Sequence, residues 1–324
     1  MRPRRGSLGT VISVSDSVRP VVRTLEPPNG QEPTFRPVER RLVGQETLEG
    51  AGVRLRRMFG GSEVPLLDPF LLLDNFGSAN PADYLAGFPW HPHRGIETVT
   101  YMLNGRTAHE DSLGNRGVID SGDVQWMSAG SGILHQEMPK RTEGRLSGFQ
   151  LWVNLPRRLK MEDPAYRGLA SDAIPEVRGE DGRTVRVIAG EYDRVAGPVS
   201  HIPVDPTYLD VRLPAGADFS LPVREGYTVF AQPFEGSGTF DRSRGPSGPS
   251  PGAPGETLLY GDGNRVDIRA GDAGLRFLLV SGRPLHEPVA WYGPIVMNSR
   301  EELLEARRDL DRGTFIRSKQ VREL

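Results

Sequence analysis

The chain is expected to be all-β, with a single helix near its end, and three observations predict this. Its 324 residues include 39 Gly and 28 Pro, a load of turn formers that suits many short strands better than long helices. Apolar and polar residues alternate over several short stretches, the period-2 mark of a half-buried strand. The helix start signal read in the chain, a capping box, comes only after residue 298. The length leaves room for two domains with sizeable cores.

Residues 1–37 show little periodicity and contain Pro27-Pro28-Asn29-Gly30, so they are read as a mobile extension. Residues 1–44 carry eight Arg against four acids. That mild excess could make an arm for a nucleic acid or a protein, but a solvated extension is the simpler reading. A first domain is placed over 38–170. Strand-like runs at 53–56 and 70–74 lead to Phe76-Gly77 and then to Trp90-His91. Val99, Tyr101 and Leu103 alternate with Thr98, Thr100 and Met102, and Asn104-Gly105 supplies a tight turn. A polar segment at 106–116, a turn at Gly122-Asp123, the run 124–127 and a glycine-rich stretch at 129–132 follow. Phe76, Tyr84, Phe88, Trp90 and Trp126 crowd this half, mostly as core, with one or two free to line a pocket.

Polar residues at 161–166 and 178–182 form a connector. The second domain, 178–298, alternates at 184–188, 208–213 and 228–230 and looks like a β-barrel. Within it, 11 of the 15 residues at 241–255 are Gly, Pro or Ser, which predicts a flexible insertion. Residues 299–324 form a helix and tail: Ser299-Arg-Glu-Glu302 is a capping box, and Leu303, Ala306 and Leu310 make an apolar stripe ending at Gly313, to pack across a barrel.

Of the six histidines, three fall in two short motifs, His91-Pro-His93 and His135-Gln-Glu137. Residues two apart on a strand share a face. Two such strands side by side would aim three imidazoles and a carboxylate at one point, a ligand set for a divalent transition metal with open positions. Glu97, four residues after His93, has the same nominal parity as Glu137, so spacing alone allows either carboxylate. His109, in Ala108-His-Glu-Asp111, could hydrogen-bond a ligand, though a structural role is favoured. Arg94 could pair with an acid beside the site, though such an Arg more often makes a surface or inter-strand ion pair. His201 and His286 stand alone and are read as structural or surface residues.

Global properties narrow the function classes. A net charge of −2 gives no general reason to bind nucleic acid. The absence of cysteine excludes disulfides and thiol switches, so any redox sensing would fall to a metal. No apolar run approaches the ~18 residues of a membrane span, and no apolar core of a secretory signal follows the basic residues 1–6. A cytoplasmic protein is expected.

The run HPHRGIETVTYMLNG, with AHED and GDVQWMSAGSGILHQEMP after it, resembles the pirin family of the cupin superfamily. Gly148-Phe-Gln-Leu-Trp152-Val-Asn154-Leu-Pro156 continues the likeness, as do Leu285-His-Glu-Pro288, Gly293-Pro294 and Val296-Met297-Asn298. The match extends over about residues 38–316, specific in the first half and looser in the middle of the second. The resemblance implies two cupin-type antiparallel β-barrels, a bicupin; the second has no His pair and is expected to hold no metal. The resemblance implies ligands His91, His93, His135 and Glu137, one metal per chain and Fe(2+) as that metal, while the ligand set itself permits Mn, Co, Ni, Cu or Zn. Glu97, His109 and Arg94 would surround the ligands.

The implied activity is quercetin 2,3-dioxygenase-type: a flavonol-like small molecule and O2 react, the central ring opens and carbon monoxide leaves. Glu137 would be the general base. The alternative implied by the family is an iron-dependent, redox-sensitive regulator that binds a transcription factor or a metabolic enzyme. The chain is expected to act as a monomer, away from membranes and without direct nucleic-acid contact.

Overall fold

The structure, a computed structural model, describes residues 32–60, 67–241, 249–318 and 322–323. The first half supplies β1 (Val38–Val43), β2 (Gln45–Glu49), β3 (Val53–Gly60), β4 (Phe70–Ser78), β5 (Phe88–His93) and β6 (Ile96–Asn104). It continues with β7 (Thr107–Asp111), β8 (Arg116–Ile119), β9 (Val124–Ser128), β10 (Ile133–Pro139), β11 (Leu146–Asn154) and β12 (Ala165–Leu169). Two sheets form its barrel. One has four strands in the order β5-β10-β7-β8, and the other runs β2-β3-β4-β11-β6-β9-β12, with Arg322–Glu323 at its edge.

The second half builds a nine-stranded sheet around Thr228–Thr239 and Arg265–Gly282, strands of 12 and 18 residues. Shifts in their register bend the pair, so that Thr228 meets Gly282 at one end and Thr239 meets Arg269 at the other. Its interior is a continuous apolar cluster that includes Val185, Leu209, Val211, Phe219, Phe277 and Leu279. A second cluster joins the two barrels: Val99, Tyr101, Trp126, Phe149 and Leu151 from the first pack with Ile188, Tyr208, Phe230, Leu278 and Val280 from the second. The molecule is therefore a bicupin, two β-barrels sharing an apolar seam.

Several sequence expectations need correction. β1, counted with the first domain, pairs with Glu256–Tyr260 and extends the second sheet. Of the expected mobile extension, residues 1–31 lie outside the described residues, but 32–37 pack on the second barrel. Arg36 is buried there: Nε donates to the Gly263 carbonyl (2.9 Å), Nη1 to Tyr227 (2.8 Å) and Nη2 to Arg224 (2.9 Å). A guanidinium fork that finds three carbonyls orders a stretch that hydrophobic periodicity cannot flag. Of the expected insertion, 242–248 lie outside the described residues, whereas Pro251–Gly252 pair with Gly238 and Thr239. Backbone pairing orders these residues where composition predicts none.

The segment past the second barrel returns to the first. Ala290–Tyr292 and Ile295–Met297 form a small hairpin, and α1 (Arg300–Asp311) follows it. Ser299 accepts from the Glu302 amide and the Glu302 side chain caps the Ser299 amide, the expected capping box. Ala306, Leu303 and Leu310 pack with Ile295, Met297, Phe315 and Leu134 against the first barrel.

Candidate metal centre

β10 is the central strand of the site. Its neighbours set His135 directly opposite His91 on β5 and Asp111 on β7, and set Glu137 opposite His109 on β7. Alternation turns His135 and Glu137 inward, buried, while Leu134 and Gln136 are only partly buried. The opposite wall is formed by β6 and β11. The Thr100 hydroxyl lies 3.0 Å from Glu137 Oε1 and 2.7 Å from Gln150 Oε1, and Trp152 meets His93 edge-on at 5.1 Å.

His91, His93 and His135 offer ring nitrogens within 4.8 Å of one another. His91 Nδ1 lies 2.8 Å from the Pro89 carbonyl and His93 Nδ1 lies 3.1 Å from that of Pro294. A carbonyl only accepts, so each Nδ1 carries the proton and each Nε2 presents a lone pair. Those two Nε2 atoms face each other at 3.1 Å, and neither nitrogen of buried His135 has a partner. Unshared lone pairs converging in a buried site are unfavourable unless a proton or cation sits among them. The rings of His93 and His135 are held neutral, the form a metal ligand needs. Burial, then the His91 ring, pushes His93 down to about 3, and burial with the rings of His93, His91 and His109 holds His135 well below the usual histidine range. The donor set fits a divalent transition metal.

The carboxylate side is arranged differently. Glu137 shares a 4.8 Å cluster with His135 and His109, not with both His91 and His93. His109 thus belongs to a metal-capable cluster, where a structural role was favoured. Its Nε2 lies 3.5 Å from Asp111 Oδ2, at the outer edge of a hydrogen bond, and its ring tilts over Tyr166 at 5.3 Å.

The strand break at Gly95 decides the place of Glu97. Gly95, at φ +80°, breaks the strand between His93 and Ile96 and resets the alternation that spacing assumes to be continuous. Glu97 therefore points to the opposite face from Thr98 and Thr100, into the seam between barrels, where Trp126 Nε1 donates to its Oε2 at 3.2 Å. Burial pushes its carboxyl up to about 7 against the lowering pull of that N–H. Arg94 also turns away. It is 1% exposed, its Nη1 pairs with Asp309 at 2.8 Å, and Nε and Nη2 donate to the carbonyls of Ser131 and Phe315. It fastens the C-terminal helix and makes no bond to the histidine cluster.

A cavity of about 770 Å³ opens onto His91, His93 and Glu137, within the 300–1,000 Å³ of small-molecule sites. Phe76, Tyr84, Phe88 and Trp90 all line it, more than the one or two expected, while Trp126 is buried in the core. Spacing missed Trp152, Trp291 and Pro294, and at the polar end Arg57, which grips Asp74 with two 2.9 Å bonds. Pro294 was readable only as part of a motif far along the chain.

The family model described as Pirin matches residues 52–153, and that of the Pirin C-terminal cupin domain matches residues 208–316. A pirin-like protein of Caulobacter vibrioides is 48% identical over 86% of this chain and 99% of its own length. A Pseudomonas aeruginosa protein provisionally named quercetin 2,3-dioxygenase is 44% identical over 87% of this chain and 98% of its own. The crystal structure of a quercetin 2,3-dioxygenase from Acinetobacter baumannii superposes with a TM-score of 0.79 at 32% identity, covering 89% of this chain and all of that one.

Proposed function

This chain belongs to the pirin family of the cupin superfamily, and we propose on that premise that it is a flavonol 2,3-dioxygenase of the quercetinase type. One divalent ion, Fe(2+) in this reading, would be held by His91, His93, His135 and Glu137. When bound, it would supply a Lewis-acidic, redox-active centre for a flavonol oxygen and O2. The observation that carries the proposal is the aromatic-walled cavity opening onto three of those four residues.

The chain's own groups have separable tasks. Glu137 takes the proton of the flavonol 3-hydroxyl. The Thr100 hydroxyl beside its Oε1 fixes the carboxylate and leaves Oε2 as the basic oxygen. Phe88, Trp90, Trp152 and Trp291 provide flat apolar surfaces for a planar ring system. At the other end the Asp74 carboxylate, both oxygens on Arg57, keeps lone pairs free to accept from phenolic hydroxyls.

The test is oxygen uptake on quercetin by metal-loaded protein, with carbon monoxide measured in the headspace. The expected result is one CO per O2 consumed. Quercetin that binds while neither gas changes would overturn the enzymatic reading in favour of a binding role.

A further inference from the structure

Lys160 is the one buried lysine among the described residues, 1% exposed, and nothing in the proposed chemistry uses it. Its three N–H groups are all placed. Nζ donates to the Gly95 carbonyl at 2.7 Å, to Asn154 Oδ1 at 2.6 Å and to the Val296 carbonyl at 3.0 Å. None of these acceptors is charged. Glu287 and Glu302 are the acids whose field reaches it, and burial lowers the ammonium to about 7. An ammonium kept out of water with only neutral acceptors is unfavourable unless the position matters.

The acceptors show what it joins. Gly95 ends the turn that leaves His93, and Val296 belongs to the segment returning from the second barrel. The two stretches run parallel: Arg94 bridges Ile295, and the Val296 amide donates to the Arg94 carbonyl at 3.0 Å. Approach is close enough that a Cβ on Gly95 would lie 2.0 Å from the Val296 oxygen. Two residues before Val296, the Pro294 carbonyl takes the His93 Nδ1 proton at 3.1 Å. Lys160 therefore closes the end of a ladder whose other end fixes the ring of His93.

We propose that Lys160 is a positioning residue of the metal centre: by clipping Val296 to Gly95 it holds the Pro294 carbonyl on His93 Nδ1 and so aims His93 Nε2 at the metal. The first barrel's site is then completed by a strand that arrives after the second barrel. The proposal rests on the reading of His93 as a ligand.

The test uses the full chain with Lys160→Met, which keeps the stem and removes the three donors. In metal-free protein carrying labelled histidine, the hydrogen-bonded Nδ1 proton of His93 is expected to lose its protection from exchange. Zn(II) affinity, measured by chelator competition on folded protein, is expected to fall 10–100-fold, the usual effect of loosening a ligand's orienting partner. Lys160→Gln retains two donors and a milder loss in both readings, which keeps the proposal open to refutation if the Met variant does not fold. Leu279→Ala, buried in the second barrel, is a stability control and should leave Zn(II) affinity within about twofold. An unchanged His93 proton and unchanged affinity in a folded Lys160 variant would overturn the proposal. His93→Ala binding Zn(II) as tightly as wild type would instead overturn the ligand reading.

Discussion

Where the first barrel turns His91, His93 and Glu137 toward a cavity, the second fills its interior with Val185, Leu209, Val211, Phe277 and Leu279, all fully or nearly fully buried. The second barrel's histidines, His201 and His286, are exposed, and among the described residues both metal-capable clusters lie in the first. Apolar packing stabilises a barrel without further help. A polar interior needs partners for its inward groups, and two of them come from elsewhere: Thr100 from the facing sheet, Pro294 from beyond the second barrel. The segment beyond the second barrel thus returns to the first and gives His93 its hydrogen-bond acceptor.

The sharpest way to break this contrast is to exchange histidines. His135→Ala should reduce bound metal from one per chain to near zero, because the remaining ligands hold a divalent ion far more weakly. His201→Ala with His286→Ala should change nothing. Metal analysis by mass spectrometry after dialysis checks both, and loss of metal in the second pair would put a site in the wrong barrel.

Next in size is the base. Glu137→Gln keeps shape but removes charge and basicity, and quercetin turnover should fall by about 10²–10⁴-fold. Glu97→Gln, on the far face of β6, should stay near wild type. The reverse ranking in steady-state kinetics would contradict the facing of these two carboxylates.

Arg94→Met tests attachment of the helix. It leaves Asp309 with Arg317 as its one cationic partner among the described residues and should destabilise by about 3 kcal/mol, while metal stoichiometry is kept. Urea titration beside metal analysis separates the two readouts.

The smallest effect carries a pH signature. Glu97 is raised to about 7 from 4.5, so the folded chain holds a proton that the unfolded chain has released between those values. Its contribution to stability is full below about pH 4.5 and is lost as pH rises through 7. The stability advantage of Glu97→Gln over wild type should therefore grow by up to ~3 kcal/mol across that window. Metal-free protein in urea at several pH values would show it. A difference that stays flat with pH would mean that Glu97 is not buried as described.

How far the sequence could be read follows the same divide. Strands with one apolar face announced themselves: Thr184–Ala189, Thr207–Leu213 and β6 lie where alternation places them. β7 did not, because its inward residues Thr107, His109 and Asp111 are polar, so a strand facing the site reads as a polar loop. The three histidines were legible as two spaced pairs. Their carboxylate neighbour was ambiguous because counting residues assumes an unbroken strand, and Gly95 breaks it. Arg94 and Lys160 were opaque, since their partners, Asp309 and Val296, lie far along the chain.

The most direct test is anomalous diffraction at the absorption edge of the bound metal in crystals of loaded protein. One peak per chain is predicted, about 2.1 Å from Nε2 of His91, of His93 and from a His135 nitrogen, with a Glu137 oxygen completing the set. A peak in the second barrel, or one bound by His109 in place of His91 and His93, would contradict the account.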